Sequence, residues 1–449
     1  MFFVDTCTQF LYNFIIMTQL VLFCFAVLWP VPPDNQVHPL GNNWGEFQDY
    51  GSGAYFHNGI DILTPDTSGV EVRAVAPGWV KAWGTIQAEL HYRIAVCDSP
   101  LTFTGRAEGW LYAHIDPDRY HKNLGDPVAT GEVIGYLVAW PVDSSFDHIH
   151  FARISDTGAT WQRFPSPTWW FVKNPLLDLN PNTDLEPPVF ENARAGWRFA
   201  FCRDNQNNRY LHPDSLNGDV DIIARIFDRT GFSSGSQIWD RLAPYQIEYM
   251  IRREDGLVVV PWTLSVQFSN LLDGALVNVV YKTDNVCRSR GDYSSRQYYF
   301  IITNTDGDSV IEATDIAGRW STALLGDAGY WVIVRAADVA GNITVDSMLV
   351  RTRNGVGVNE LARGDVPPVC DVASTVASGR AGLVVRLGGP ASVKFRLIDP
   401  AGRVVQAMDC GQLDCGIHRL ELKPLKPGVY NLEITTGRFR RFSRLIITG

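Results

Sequence analysis

The stretch Phe146-Asp147-His148-Ile149-His150-Phe151 places two histidines one residue apart inside an apolar run. Side chains alternate between the two faces of a strand, so residues two apart project to the same side. If this stretch forms a strand, His148 and His150 can therefore address one ion or one substrate from a rigid platform. Nine histidines in 449 residues will sometimes fall close together by chance, so the pair alone is weak evidence.

A second segment, His57-Asn58-Gly59-Ile60-Asp61, adds an imidazole and a carboxylate separated by a glycine that lets the backbone turn. Zinc binds nitrogen and oxygen ligands, and its catalytic sites usually use three protein ligands and leave the fourth position to water. Asp61 alone would be interpreted as a turn-capping carboxylate. Its spacing from His57, together with the other histidines, favours a metal ligand.

Between residues 38 and 181 the chain consists of short apolar runs separated by turn signals such as Pro77-Gly78 and Thr130-Gly131. Each run has the length of a strand, and none has the period of a helix. The runs cover residues 70–75, 79–83, 92–96, 110–113 and 132–140. This pattern predicts a mostly antiparallel β domain, with Val70, Val72, Val80 and Ile134 in its core and Gly59, Gly78, Gly131 and Gly135 in turns.

These residues resemble the LytM and lysostaphin-type zinc endopeptidases, which cut peptide cross-links in bacterial cell walls. The resemblance covers residues 38–181, and its elements occur in the order of that family. It implies that His57, Asp61 and His150 are zinc ligands and that His114 and His148 are the catalytic pair. The matching elements are His57-x-x-x-Asp61, Val70-x-Val72-x-Ala74, Gly78-x-Val80, Tyr112-Ala113-His114, Gly131-Glu132-Val133-Ile134-Gly135, His148-Ile149-His150-Phe151 and Asn174-Pro175-Leu176.

The implied division of roles agrees with the chemistry of the groups. Zinc held by two neutral imidazoles and one carboxylate stays positively charged, so it polarises a scissile carbonyl and lowers the pKa of water. An imidazole outside the ligand set can accept a proton, because histidine titrates near neutral pH. A second imidazole can stabilise the developing oxyanion or protonate the leaving amine. Which of His114 and His148 has which role stays open.

Several positions depart from the pattern of that family. Asp147 replaces a small residue or proline before the histidine pair, and we expect it to face solvent rather than to orient an imidazole. Ala152 and Arg153 replace a sequence that usually contains glutamate. Three tryptophans could stack on sugar rings, although local packing is the more common role of such residues. They are Trp161, Trp169 and Trp170, and the histidines interpreted as surface or core residues are His38, His91, His121, His212 and His418.

The predicted first module covers residues 34–183, and Asp184-Leu185-Glu186-Pro187-Pro188 reads as a linker after it. Residues 187–354 follow with alternating runs that predict the strands of a β-sandwich. The run that ends in Asp338-Val339-Ala340-Gly341-Asn342 resembles the late strands of bacterial immunoglobulin-like modules. Such modules usually act as spacers or bind partners, and no cluster of histidines or acidic residues in the sequence indicates catalysis in this second module.

The third module, residues 366–449, is a β unit that carries 12 Lys and Arg against 6 Asp and Glu. It resembles the carboxy-terminal sorting domain of substrates of type IX secretion. The features that carry this resemblance are Asp399-Pro400-Ala401-Gly402-Arg403 and Pro427-Gly428-Val429-Tyr430. The resemblance implies transport across an outer membrane with the type IX machinery as a partner. An ordinary structural module is the alternative.

Residues 1–33 are predicted to be a signal peptide or an amino-terminal anchor. The apolar run from Leu20 to Trp29 has the length of a signal core, but no Lys or Arg occurs before Arg73. Removal of this segment would leave six cysteines, which allow 15 pairings; Cys410 and Cys415 could close a small loop.

These features predict an all-β multidomain protein that is exported and acts as a zinc endopeptidase on peptidoglycan cross-links or stem peptides. The formal net charge of −9 argues against nucleic acid as a general partner, because binding it needs a basic face. One alternative is a non-catalytic protein that binds the cell wall or activates another hydrolase. A surface adhesin is a further alternative. All five polar positions of the motif are retained, which favours catalysis.

Overall fold

The computed structural model describes most of the chain from residue 26 onward. The described ranges are 26–50, 53–64, 69–84, 92–141, 144–161, 170–270, 272–323, 325–354, 369–372, 376–378, 382–387, 391–400, 402–413, 416–423, 425–436 and 439–448. Residues 1–25 of the predicted signal segment lie outside these ranges, and so do His91, Trp169 and Cys415. Residues 26–33 of that segment are described, and Trp29 and Val31 are buried. Among the described residues, none of the helices combines the length and the apolar character that a membrane span requires.

The chain divides into two compact units. The first unit contains residues 1–320 and 328–352, and the second contains residues 321–327 and 353–449. The predicted first module therefore lies in the first unit, together with most of the predicted second module. Residues 321–327 and 353–354 of the second module belong to the second unit, which also contains the predicted third module.

The first module folds around one large antiparallel sheet. Its eight strands follow the order β1-β4-β11-β8-β7-β6-β9, and β12 pairs with β11 beside β4. Two small sheets, β2-β3 and β5-β10, complete the module. The strands are β1 Leu40–Asn42, β2 Phe47–Gln48, β3 Tyr55–Phe56, β4 Ile60–Leu63, β5 Glu71–Arg73, β6 Gly78–Gly84, β7 Arg93–Cys97, β8 Ala107–Ala113, β9 Pro127–Val128, β10 Val133–Tyr136, β11 His148–Asp156 and β12 Trp170–Lys173.

Alternation along the strands of this sheet explains where its core lies. Ile60 and Ile62 of β4, Ile94 of β7, Leu111 of β8 and Phe151 of β11 are fully buried. Their burial removes apolar surface from water, which is the main favourable contribution to folding. It also holds β4, β8 and β11 side by side in fixed register, so the polar residues at their ends have defined positions.

The second module contains two larger sheets. A six-stranded sheet has the order β13-β16-β14-β15, with β21 and β22 also paired to β16, and a four-stranded sheet has the order β18-β17-β23-β24. The elements are β13 Val189–Glu191, β14 Phe199–Arg203, β15 Tyr210–Leu211, β16 Asp219–Phe227, β17 Gln246–Arg253, β18 Val258–Gln267, helix α1 Val277–Val280, β19 Arg290–Asp292, β20 Ser295–Gln297, β21 Tyr299–Ile301, β22 Trp320–Ser321, β23 Gly329–Ala337 and β24 Ile343–Arg351.

The second unit is built from a three-stranded sheet, β25-β27-β30, and a five-stranded sheet, β26-β32-β31-β28-β29. Its core includes Val393, Phe395, Leu397, Leu432 and Leu445. The strands are β25 Val369–Val372, β26 Val376–Ser378, β27 Gly382–Leu387, β28 Ala391–Ile398, β29 Val404–Leu413, β30 Gly416–Glu421, β31 Gly428–Thr436 and β32 Phe439–Thr448.

The predicted all-β multidomain fold is confirmed. Each apolar run predicted in the first module contains a strand, and the His-x-His stretch opens β11. Gly131 lies in a turn with a φ of 77°, as predicted. Gly135 does not, because it lies within β10 and a side chain there would collide with Ile115.

A hairpin formed by β19 and β20 of the second module packs into the first module. Arg296 on β20 is fully buried, and its Nη1 lies 3.7 Å from Oε1 of Glu46, which is also fully buried. The same nitrogen donates to the carbonyl oxygens of Gly41 and Trp239. Gly291 on β19 lies so close to the backbone of Phe47 that a Cβ would overlap the Phe47 carbonyl. The first two modules therefore share a buried, charged interface.

Candidate metal centre

Three adjacent strands bring the predicted site residues together. Asp61 on β4 is paired in register with His150 on β11, and His150 is paired on its other side with Ala113, the last residue of β8. His114 follows β8 directly, and His57 follows β3. His148 and His150 lie two residues apart on β11, so the sheet presents them on one face.

Three donor atoms form a compact triangle. His57 Nε2 lies 3.1 Å from His150 Nδ1 and 3.3 Å from Asp61 Oδ1, and His150 Nδ1 lies 2.9 Å from the same Asp61 oxygen. His57 Nδ1 donates to the carbonyl oxygen of Asn43 at 3.1 Å, which turns Nε2 towards the triangle. These three residues form a possible metal site, and all are largely buried.

Electrostatics at the triangle favour a charged carboxylate. Burial opposes the charge on Asp61, but the nearby imidazoles of His57 and His148 outweigh it and hold the pKa of the carboxyl well below its usual value. Burial also opposes protonation of His57, but Asp61 and Glu46 outweigh it and raise the pKa of that imidazole. For His150, burial prevails and lowers the pKa to about 4. Metal binding requires an ionised carboxylate and neutral imidazoles. The structure favours that state at Asp61 and His150, whereas His57 has to release its proton when it binds a metal.

His114 and His148 lie beside this triangle. Their ring centroids are 4.5 Å apart, and the centroid of the His114 ring is 6.2 Å from that of His150. His148 Nδ1 donates to the carbonyl oxygen of Phe146 at 2.7 Å, and its Nε2 lies 3.8 Å from Asp61 Oδ2. Burial lowers the pKa of His148, which keeps this imidazole neutral near pH 7. All five predicted polar residues therefore occupy one site.

The backbone of His114 is held in a sparsely populated conformation, with a φ of 68°. Left-handed backbone is uncommon outside glycine, and such outliers occur most often at functional sites. The His114 carbonyl accepts a hydrogen bond from the Val138 amide at 2.9 Å, which helps to hold this turn. The strain places the His114 ring against Trp140 and His148.

Two residues at the site could not be recognised from any motif in the sequence. Asn42 on β1 donates from its side-chain amide to Asp61 Oδ2. Arg93 on β7 lies close enough to contribute to the low pKa of His150, and burial lowers the pKa of the Arg93 guanidinium itself to about 10. Both residues reach the site through strand pairing rather than through a local motif.

Two tyrosines, Tyr50 and Tyr293, lie near the site and form what we call the aromatic rim, with their rings 5.0 Å apart. Burial raises the pKa of both phenols, and the charge of Asp61 adds to this effect. Tyr293 belongs to the β19–β20 hairpin, and its phenol lies beside Trp140. The second module thus supplies one wall of the site, although its sequence indicated only a spacer or binding role.

Two expectations for flanking residues were tested by the structure. Asp147 does not face solvent: it is buried, and its Oδ1 accepts a hydrogen bond from the Trp140 amide at 2.6 Å, because the loop before β11 folds back over it. Trp161 packs in the core with Leu111 and Ile154, as expected for local packing, so it is not a sugar-stacking surface.

The other flanking residues have structural partners. Arg153 forms ion pairs with Glu108 and Asp178, and Ala152 is buried. Four cysteines are free thiols among the described residues: Cys97, Cys202, Cys287 and Cys410.

Gly59 lies against the imidazole of His150, a contact that the predicted turn role of this glycine did not indicate. A Cβ at this position would lie 2.5 Å from His150 Nε2 and 2.6 Å from Cε1. Gly59→Ala is therefore expected to displace the imidazole and to weaken metal binding about 10- to 100-fold, as other perturbations around metal ligands do.

Zinc affinity, measured by competition with a chromogenic chelator, checks this expectation. Gly274→Ala is the matched control, because a Cβ at Gly274 meets no atom within 4 Å. Equal affinities for the two variants would contradict the close-approach role of Gly59.

No protein-family model matches the sequence, and no curated protein matches it. Solved structures show distant similarity. A complex of SpoIIIAH and SpoIIQ is 18% identical over 28% of this chain and 90% of that chain, with a TM-score of 0.23. A mutant catalytic domain of the prophage-encoded M23 protein EnpA from Enterococcus faecalis is 20% identical over 30% of this chain and 88% of that chain, with a TM-score of 0.20.

Dimeric latent PorU from Porphyromonas gingivalis covers 83% of this chain with 34% of its own length, at 13% identity and a TM-score of 0.20. These similarities are too distant to assign a function.

Proposed function

We propose that this protein is a zinc endopeptidase that hydrolyses peptide bonds in peptidoglycan cross-links or stem peptides. His57, Asp61 and His150 hold the metal in this proposal. His114 and His148 assist the chemistry, and Tyr50 and Tyr293 lie near the position that the peptide would occupy.

The triangle of donor atoms is the main observation that supports this proposal. Zinc ligands at about 2.0–2.1 Å in a tetrahedral arrangement are separated by about 3.3 Å, and two imidazoles with one carboxylate are a usual donor set. The three measured edges range from 2.9 to 3.3 Å. The donor atoms thus need little movement to bind zinc, and three protein ligands leave a position for water and substrate.

Bound zinc would supply a Lewis acid that polarises the scissile carbonyl and lowers the pKa of water. His148 is suited to accept a proton from the attacking water, because it is neutral and its Nδ1 is already engaged with the carbonyl oxygen of Phe146. His114, 4.5 Å from His148 between ring centroids, can stabilise the oxyanion or protonate the leaving amine. Asn42 holds the Asp61 carboxylate by donating to Oδ2.

The test is release of free amines from purified peptidoglycan by the full chain, with bound zinc measured on the same preparation. We expect about one zinc per chain and turnover that stops when a chelator removes it. Turnover by the metal-free protein would refute the zinc mechanism. Zinc binding and wall binding without amine release would instead support the non-catalytic alternative.

We further propose that the protein is exported and that residues 366–449 direct passage across an outer membrane. Deletion of these residues is expected to leave the protein inside cells that possess a type IX system, as measured by immunoblotting of cell and medium fractions. The full-length His150→Ala variant is the control, because it keeps the third module. Unchanged export of the deletion variant would contradict the sorting role.

A further inference from the structure

Three aspartates from distant parts of the first unit meet at one point in the second module. Asp184 lies in the linker, Asp228 follows β16 and Asp338 follows β23. One carboxylate oxygen from each lies within 4.8 Å of the others, and all three residues are buried. No local motif predicts this cluster, because more than 40 residues separate each aspartate from the next.

The surrounding hydrogen bonds satisfy only part of the cluster. Asp338 accepts from the amide of Asn342 at 2.8 Å and from its side chain at 2.7 Å, and Asp184 accepts from the Glu186 amide at 2.9 Å. Asp228 is only 3% exposed, yet its buried Oδ1 has no hydrogen-bond partner among the described residues. A buried oxygen without a donor is costly unless a ligand or a proton satisfies it.

Among the residues that the structure describes, no lysine or arginine forms an ion pair with Asp184, Asp228 or Asp338. Burial, with repulsion between the carboxylates, raises the pKa of Asp184 to about 6 and that of Asp228 well above its usual value. Such a concentration of negative charge attracts a cation.

The chemistry of the donor atoms indicates which cation the cluster would bind. Carboxylate oxygens without nitrogen or sulfur suit hard cations. Ca²⁺ takes 6–8 oxygens at about 2.3–2.6 Å in flexible geometry, so two of its ligands lie at most about 5 Å apart, whereas Mg²⁺ demands a tighter octahedron. A cavity of about 10 Å³, lined by the three aspartates and by Asn182 and Thr230, adjoins the cluster and has room for about one water ligand.

We propose that Asp184, Asp228 and Asp338 bind a calcium ion. The ion ties the linker to the ends of β16 and β23, where Asn342 already donates to the backbone carbonyl of Asp184 at 3.0 Å. This site shares no residue with the proposed zinc site, and it stands whether or not the protein is a peptidase. Its role is to stabilise the junction between the first two modules.

Titration of the zinc-loaded full chain with CaCl2, followed by calorimetry and by thermal unfolding, tests the proposal. We expect one Ca²⁺ per chain, a rise in the unfolding temperature of about 5 °C at saturating calcium, and a smaller rise with MgCl2. Asp228→Asn should weaken calcium binding at least about ten-fold and lose the thermal shift, since it keeps the shape but removes a charged ligand.

Asp184→Asn changes the linker rather than the end of a strand. We expect this second variant to show the same loss of calcium affinity and of the thermal shift. The matched control is Asp214→Asn, whose side chain is 69% exposed and which should retain the calcium response. The proposal is overturned if the wild-type chain shows no calcium response. Wild-type calcium affinity in both cluster variants would also overturn it.

Discussion

His150→Ala is expected to abolish both metal binding and turnover. The substitution removes one corner of the donor triangle, and it leaves Asp61 Oδ1 without the imidazole nitrogen that lies 2.9 Å away. Two remaining protein ligands bind zinc far less tightly than three, and we expect amine release to fall by about 1,000-fold or more. Zinc content by mass spectrometry of metals and amine release from peptidoglycan are the measurements.

His148→Ala is the informative comparison, because this residue lies two positions away on the same strand face. It should retain about one zinc and still lose most of its turnover, since a general base contributes about 100- to 10,000-fold. His212→Ala, with an imidazole 56% exposed in the second module, is the control that should keep both properties. Retained turnover in His148→Ala would show that the assigned role is wrong.

Arg296→Met is expected to destabilise the first unit by about 3–5 kcal/mol. Removing one partner of a buried ion pair leaves the other charge without compensation, and here Glu46 is fully buried. Burial already raises the pKa of Glu46 in spite of Arg296, so loss of the guanidinium makes the ionised carboxylate still less favourable. Arg296 also donates to the carbonyl oxygen of Trp239 at 3.2 Å, and that acceptor would lose a donor.

Urea unfolding followed by tryptophan fluorescence measures this effect. Every tryptophan lies at or before Trp331, so the signal reports the first unit and not the second. Arg290→Met on β19 of the same hairpin is the control, because Arg290 is exposed. The double variant Arg296→Met with Glu46→Gln should recover part of the loss. A shift below about 1 kcal/mol in Arg296→Met would contradict a structural role for the pair.

Local patterns predicted the strands and favoured His57, Asp61, His148 and His150 as site residues, whereas the resemblance to a family added His114. The alternation of β11 and its His-x-His spacing were sufficient to place His148 and His150 on one face, because that geometry depends only on the strand. Only the resemblance to a family placed His57 and Asp61 near His148 and His150. The pairing of β4 with β11 joins residues almost 90 positions apart, which no local pattern predicts.

Long-range contacts could not be predicted in this way. Asp147 was expected in solvent because its neighbours in sequence give no sign that the Trp140 amide would turn towards it. Tyr293 reaches the site only because a hairpin of the second module packs on the first. Glu46 and Arg296 are separated by 250 residues, and a charged residue in a sequence is ordinarily interpreted as exposed.

The Glu46–Arg296 pair also limits how the chain can be rearranged during evolution. A module joined to its neighbour by a flexible linker alone can be exchanged without consequence for either fold. Here, exchange of the second module for an unrelated one would bury the Glu46 carboxylate without its cation, unless both residues changed together. The two modules are therefore expected to be inherited as a pair, and substitutions at position 46 should be matched by substitutions at position 296.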